Sequence, residues 1–201
     1  MTAEVGLRER KKAATRAALA TAANRLAVEH GVEHVTVEAI AAAADVSPRT
    51  FHNYFSSREE AIVASVIDWG DGLTRQLAER PAGEPIWDSL QGVVLDSLRG
   101  ASIDPARMIA QIEMVLAHPN VIASQLAAFD TMRLRFAEAV AARTGTDASH
   151  DLYPHLISGA VAQVVKTSMD LWAIGRSERP LDELVAEGFA LIRAGLPQPG
   201  R

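Results

Sequence analysis

Thr36 to Phe55, TVEAIAAAADVSPRTFHNYF, constrains the fold of this chain more than any other stretch. Thr36 is placed to cap a helix, and Glu38 falls in its first turn, where the positive end of the helix dipole favours an acid. Val37, Ile40, Ala41 and Ala44 recur at i, i+3, i+4 and i+7, which is one helical face. Asp45 and Val46 break that pattern. Ser47-Pro48 then opens a second helix, with Ser as N-cap and Pro in the first helical position. Phe51, Tyr54 and Phe55 supply its apolar side, and Pro48, Arg49, Thr50, His52 and Asn53 face outward. An alanine-rich helix bracing a short helix with a polar outer face is a helix-turn-helix arrangement. An ordinary pair of surface helices would show the same periodicity.

The flanking residues decide between the two. Upstream runs TRAALATAANRLAVEHGVEHVTVEAIA and downstream YFSSREEAI. Over roughly Arg10 to Ile62 the chain resembles the N-terminal domain of the TetR family of bacterial transcription regulators. The resemblance rests on Ala22-Ala23, Leu26, Gly31, the Thr-Val-x-x-Ile-Ala run, the Val-Ser-Pro-x-Thr-Phe turn, the Tyr-Phe pair and a basic residue followed by Glu-Glu. Ala27 stands where the family usually has Phe, and Val32 where an aromatic is common. Both changes shrink the small core without touching the outward set.

The resemblance implies an all-α fold of about nine helices. A three-helix DNA-binding domain, residues 1–57, would precede a six-helix ligand-binding and dimerisation domain, residues 58–201. Thr36, Ser47, Pro48, Arg49, Thr50, His52, Asn53, Tyr54 and Arg58 become the expected DNA-binding residues. Arg49 suits guanine edges, Asn53 adenine edges or phosphate, and Thr50 and His52 a base edge or the backbone. Thr36, Tyr54 and Arg58 are expected on phosphates. Arg58 opens a helix where Glu59 and Glu60 suit the dipole and a cation does not, so a phosphate would explain it.

Charge is distributed to match. Residues 1–58 carry eight Lys/Arg against six Asp/Glu, whereas residues 59–201 carry twelve against nineteen. A mildly basic head on an acidic body fits a polyanion met by the head alone. Arg8, Arg10, Lys11, Lys12 and Arg16 concentrate that charge at the start of the first helix, behind a loose arm at residues 1–9. Leu19, Ala22, Ala23, Leu26 and Ala27 form the helix's inner face, and Gly31 its C-terminal cap.

Further helices are expected from Arg58 to about Glu79, Pro85 to Leu98, Ala106 to Ala117, Pro119 to Arg143, Asp147 to Ile174 and Pro180 to Ala194. Gly70 and Gly72 fit either a bend or hinge in the first of these or a mere concession to packing. The stripe Ile122, Leu126, Phe129, Arg133, Phe136, Val140 directs one side of the long central helix inward. Arg133 within it either snorkels out, pairs with a carboxylate such as Glu113 or Asp170, or meets a bound anion. Trp87, Met108, Gln111, Ile112, Phe129, Arg133, Gln163, Lys166 and Met169 are the expected ligand-binding residues, with Met114 and Trp172 as further apolar walls. The resemblance implies a small-molecule inducer there, and Arg133 among apolar residues suits an anionic amphiphile such as an acyl-CoA-like molecule.

The last helix carries Leu181, Leu184, Val185, Gly188, Phe189 and Ile192 on one face. With the helix before it, this stripe is expected to form a homodimer, and Gly188 to mark the close approach of the second copy. No cysteine is present, which removes disulfides, thiolate metal sites and Cys nucleophiles. The six histidines are scattered, and Asp151 with His155 is two ligands rather than a site. No HExxH, Gly-rich phosphate loop or nucleophile elbow appears, so no enzyme, metal or cofactor is expected. A structural adaptor would leave the Arg49-Thr50-His52-Asn53 face unexplained. No signal-peptide core or membrane span is legible, and a cytoplasmic regulator without membrane attachment is expected.

Overall fold

The computed structural model describes residues 2–100, 104–173, 175 and 177–198, with side chains from residue 10 onward except that of Pro105. Among these residues the chain forms nine α-helices and no strand. They are α1 (Thr2–His30), α2 (Val37–Ala43), α3 (Pro48–His52), α4 (Arg58–Glu79), α5 (Ile86–Gly100), α6 (Pro105–Ala117), α7 (Pro119–Thr144), α8 (Leu152–Ala173) and α9 (Leu181–Arg193). A 3-10 turn, Val32–His34, lies between α1 and α2. No described helix is long and apolar enough to cross a membrane.

One expectation changes and one open alternative closes at the level of local structure. The arm expected at residues 1–9 is helical from Thr2, as part of α1. Glu, Arg, Lys and Ala are good helix formers, and one glycine costs about 1 kcal/mol without stopping a helix. Likewise α4 runs unbroken through Gly70 and Gly72. A Cβ on Gly70 would sit 2.0 Å from Met132 Cγ, so this glycine gives room for a side chain of α7 rather than a bend. Of the break expected over Gly100 to Asp104, residues 101–103 lie outside the described residues.

The chain divides into two compact units, Met1–Trp69 with Ala110–Asp130, and Gly70–Ile109 with Thr131–Arg201. The first has a core built mostly from small side chains. Leu19, Ala22, Ala23 and Ala27 of α1 meet Val32, Val35, Ile40, Phe51 and Phe55, together with Ala61 to Ala64 of α4. Met114, Val121 and Ala128, from α6 and α7, belong to the same core. The two phenylalanines are its largest members, with ring centroids 5.6 Å apart. Burying each stabilises the unit by about 1.5–3 kcal/mol. Asn24 is buried beside them, and its amide donates to the Ile62 carbonyl at 3.2 Å, joining α1 to α4.

In the second unit α9 packs on α8 and α5. Leu181, Val185 and Phe189 are buried, as are Ile157, Val161, Val164 and Val165 of α8 and Leu90, Val93 and Val94 of α5. Trp87 meets Phe189 edge-on at 6.4 Å. Arg143 closes the end of α4: Nη1 donates to the carbonyls of Leu77 at 3.2 Å and Arg80 at 2.9 Å, and Nη2 to Pro81 at 2.8 Å. One guanidinium thereby satisfies carbonyls that the helix end leaves without a partner.

The inward face of α7 is not the expected one. Phe136 and Val140 are buried, but Leu126 is 61% and Phe129 40% exposed. The buried positions in that half are Val121, Ala128 and Met132, about one residue round the helix. Large apolar residues occur on both faces of α7, so periodicity alone could not choose. Ala128 lets a neighbouring helix come close where Phe129 would hold it off.

Candidate nucleic-acid interface

Local bonds explain why the two short helices of the head form. Thr36 Oγ1 accepts from the Ala39 N–H at 3.1 Å and starts α2. The chain leaves α2 through Asp45 at φ 55, a left-handed conformation that Asp tolerates better than most residues. The Val46 N–H donates back to the Ala41 carbonyl at 2.9 Å. Ser47 Oγ then accepts from the Thr50 N–H at 3.1 Å, with Pro48 in the first turn of α3.

Phe51 is fully buried and anchors α3. This leaves Pro48, Arg49, His52 and Asn53 exposed on the opposite side, with Thr50 and Tyr54 half-buried. The His52 ring stands edge-on to Phe51 at 5.4 Å. The helix has five residues, too few to persist alone, so it is held by its cap, its proline and Phe51. Arg10, Lys11 and Lys12 are exposed on α1. Arg16 is not available in the same way, because it pairs with Asp68 and lies 5.0 Å above the Phe55 ring.

Arg58 has internal partners for Nε and Nη1. Its Nη1 donates to the carbonyls of Val32 at 3.0 Å and Val35 at 2.6 Å, and Nε to Glu59 at 2.9 Å. A cation at the start of α4 therefore has a cause without DNA: it ties α4 to the turn before α2. Asn24 was missed by sequence reasoning, since a lone Asn in a helix gives no signal of the carbonyl it will meet.

The surface thus offers four exposed polar or ring-bearing positions on and just after a helix seated by its cap, its proline and Phe51, and α1 adds the exposed cations Arg10, Lys11 and Lys12. Two family models match this chain: that described as bacterial regulatory proteins of the tetR family covers residues 19–64, and that of the MftR C-terminal domain covers residues 84–197. The chain belongs to the TetR family. The HTH-type transcriptional regulator TcmR of Streptomyces glaucescens is 35% identical over 92% of this chain and 89% of its own. The TetR-family repressor FadR of Thermus thermophilus, solved with lauroyl-CoA, matches with a TM-score of 0.61 and 22% identity, over 92% of this chain and 100% of that one. SmeT, repressor of the Stenotrophomonas maltophilia multidrug efflux pump SmeDEF, matches at 0.57 and 20%, over 92% and 97%. At these identities the two structures establish the TetR fold alone. As a TetR-family member the chain is a DNA-binding transcription regulator and not an enzyme.

The expected ligand residues are scattered more widely than periodicity implied. Trp87, Met108, Arg133 and Met169 are half-buried in the second unit. Gln163 and Lys166 are exposed instead of lining an interior, because α8 buries Val161, Val164, Val165 and Ser168 on its other face. Gln163 donates to Thr167 Oγ1 at 2.8 Å, and Lys166 to Asp170 at 2.5 Å. Gln111, Ile112 and Phe129 belong to the first unit, where the first two are half-buried and Phe129 is exposed. An open cleft of about 410 Å³ in the second unit, lined by Gln76, Glu79, Arg80, Glu84, Val93 and Asp96, contains none of these residues. Within it the Arg80 guanidinium, helped by the Ser89 hydroxyl, lowers the Glu84 carboxyl to about 2. No group of three or more metal-ligating side chains occurs among the described residues.

Gly188 also has a different neighbour from the expected one. A Cβ there would meet Val164 Cγ1 of the same chain at 2.7 Å. Gly188 therefore serves the packing of α9 on α8. On α8 the open glycine is Gly159, with nothing within 4 Å, beside exposed Leu152 and Leu156.

Proposed function

We propose that this TetR-family regulator is a cytoplasmic repressor that binds a palindromic double-stranded DNA operator as a homodimer and is released by a small-molecule inducer. The observation that carries this reading is the exposed Arg49-His52-Asn53 face of α3, seated by Ser47, Pro48 and Phe51. In the major groove Arg49 reaches guanine and Asn53 adenine, with Thr50 and His52 beside them. Thr36, Ser47, Pro48, Tyr54 and Arg58 set register against the backbone. The functional division runs at 57/58, with DNA binding before it and ligand binding and dimerisation after it.

Dimerisation uses α8 and α9. Leu152, Leu156, Gly159 and Leu191 are among the exposed apolar or open positions there, and two such faces related by two-fold symmetry give a four-helix contact. The inducer touches Trp87, Met108, Arg133 and Met169, and an anionic amphiphile suits a guanidinium among apolar side chains. Lauroyl-CoA, held by the Thermus FadR, is of that chemical class. Release requires that the inducer bind the DNA-free arrangement more tightly than the DNA-bound one.

Selection of duplexes from a random pool by the full-length protein tests the reading. A palindrome whose half-sites lie about one helical turn apart, roughly 34–36 Å, is expected. Its affinity should fall steeply with salt, and a long-chain acyl-CoA should displace it. Enrichment of a single half-site, or no enrichment, would sink the homodimer or the DNA reading respectively.

A further inference from the structure

His118 sits between α6 and α7 with both ring nitrogens engaged. Nδ1 lies 2.7 Å from the Met114 carbonyl, and Nε2 3.3 Å from Glu33 Oε2. Both partners are acceptors. A neutral imidazole carries one N–H and could serve one of them, setting its lone pair against the other. The imidazolium alone donates to both.

Glu33 is held for this contact. Gly31 adopts φ +84, and a Cβ on it would stand 2.9 Å from Glu33 Oε1, so the carboxylate lies in a place that glycine leaves open. A bond to its own backbone N–H, then His118, with a smaller contribution from His34, keep the Glu33 carboxyl below the usual carboxylate range. The turn carrying Glu33 is seated by buried Val32 and Val35 and by Arg58, itself paired with Glu59, on their carbonyls. Glu29 and His30, at the end of α1, are the nearest charged groups before it in the chain. Thr36, which caps α2, comes next, and α2 packs on α3. On the other side, Met114 and Val121 flank His118 in the core that also holds Phe51 and Phe55.

We infer that His118 and Glu33 form a proton-dependent clasp that ties the turn between α1 and α2 to the α6–α7 corner and steadies the support of the recognition helix α3. It joins a residue of the matched DNA-binding region to one of the matched C-terminal region. Its link to recognition rests on the DNA-binding reading above. The sign follows from the two charges. The clasp is lost on the acid side as pH falls through the lowered Glu33 value, and on the alkaline side as pH rises and the imidazolium gives up its proton.

Nuclear magnetic resonance and amide exchange on the full chain test it. Between about pH 5.5 and about pH 8, protection of the amides of residues 32–43 should fall roughly two- to fivefold, as for an exposed ion pair. Protection of the α5 core, Leu90 to Val94, should stay level. In Glu33→Gln the pH dependence of residues 32–43 should vanish. His118→Asn should abolish it as well. A loss of protection in Glu33→Gln or His118→Asn equal to that in the parent overturns the clasp. These measurements use no DNA, so they remain readable if the DNA reading fails. On a duplex selected by the parent protein, affinity should fall about two- to fivefold more over the same pH range than for His118→Asn. Equal pH dependence in the two proteins overturns the link to recognition.

Discussion

α3 and α9 are both amphipathic, and they use their faces in opposite ways. In α3 the buried side is a single phenylalanine, and the polar side stays outside. In α9 the apolar stripe Leu181, Val185, Phe189 is taken up by the chain's own α8 and α5, with Gly188 against Val164. Its outer acids are also engaged, Arg179 bridging to Glu183 and Glu187. An apolar stripe therefore reports that a face will be buried, not which molecule buries it. A polar face on a capped helix too short to persist alone is the better sign of an external partner.

The comparison can be broken most forcefully at Phe51. Phe51→Ala should cost the head about 3–5 kcal/mol and melt it first, seen as early loss of near-ultraviolet dichroism and of DNA binding. A head that survives intact would mean that the caps, not the core, hold α3. Arg58→Ala should lower stability by about 1.5–3 kcal/mol, because the carbonyls of Val32 and Val35 lose a charged donor. Denaturant midpoints read this directly. The salt dependence of DNA binding then shows whether the same guanidinium meets a phosphate: a slope smaller by about one counterion says that it does.

Arg49→Ala sits on the outer face of the same short helix as Phe51. It should leave stability within about 0.5 kcal/mol while relaxing sequence preference by about 1–3 kcal/mol on the selected operator. Equal losses on specific and nonspecific DNA would make Arg49 a phosphate contact instead. In the rear, Gly188→Leu should overpack the α8–α9 seam by about 1–3 kcal/mol, read as a lower melting temperature at any protein concentration. Gly159→Ala, placed in open space, should instead leave the monomer unchanged or up to about 1 kcal/mol more stable. A Gly188→Leu protein of full stability that merely dissociates would return that glycine to a subunit interface. The smallest effect belongs to Glu84, whose carboxyl should titrate near 2 and rise towards the ordinary carboxylate value in Arg80→Gln. Because its folded value is lowered, its contribution to stability is present above the unfolded value and fades as pH falls towards 2.

Sequence by itself determined what depends on neighbours within a turn or two. Thr36 and Ser47 cap the helices that their positions announce, Pro48 opens α3, and Phe51 and Phe55 lie inside. Most helix boundaries in the rear fell close to the prolines and glycines that mark them, since backbone sterics act locally; α8 is the exception, starting at Leu152 rather than Asp147 because residues 147–151 close a turn on themselves. The family, too, was legible, because many fixed spacings agreed at once. What tertiary structure alone decided involves partners remote in the chain. Arg58 finds Val32 and Val35, Arg143 finds the end of α4, Gly70 makes way for Met132 and Gly188 for Val164. On α7, where both faces carry large apolar residues, packing took in Val121, Ala128 and Met132 and left Leu126 and Phe129 outside. Periodicity measures which residues share a face; the close packing of helix on helix chooses which face goes in.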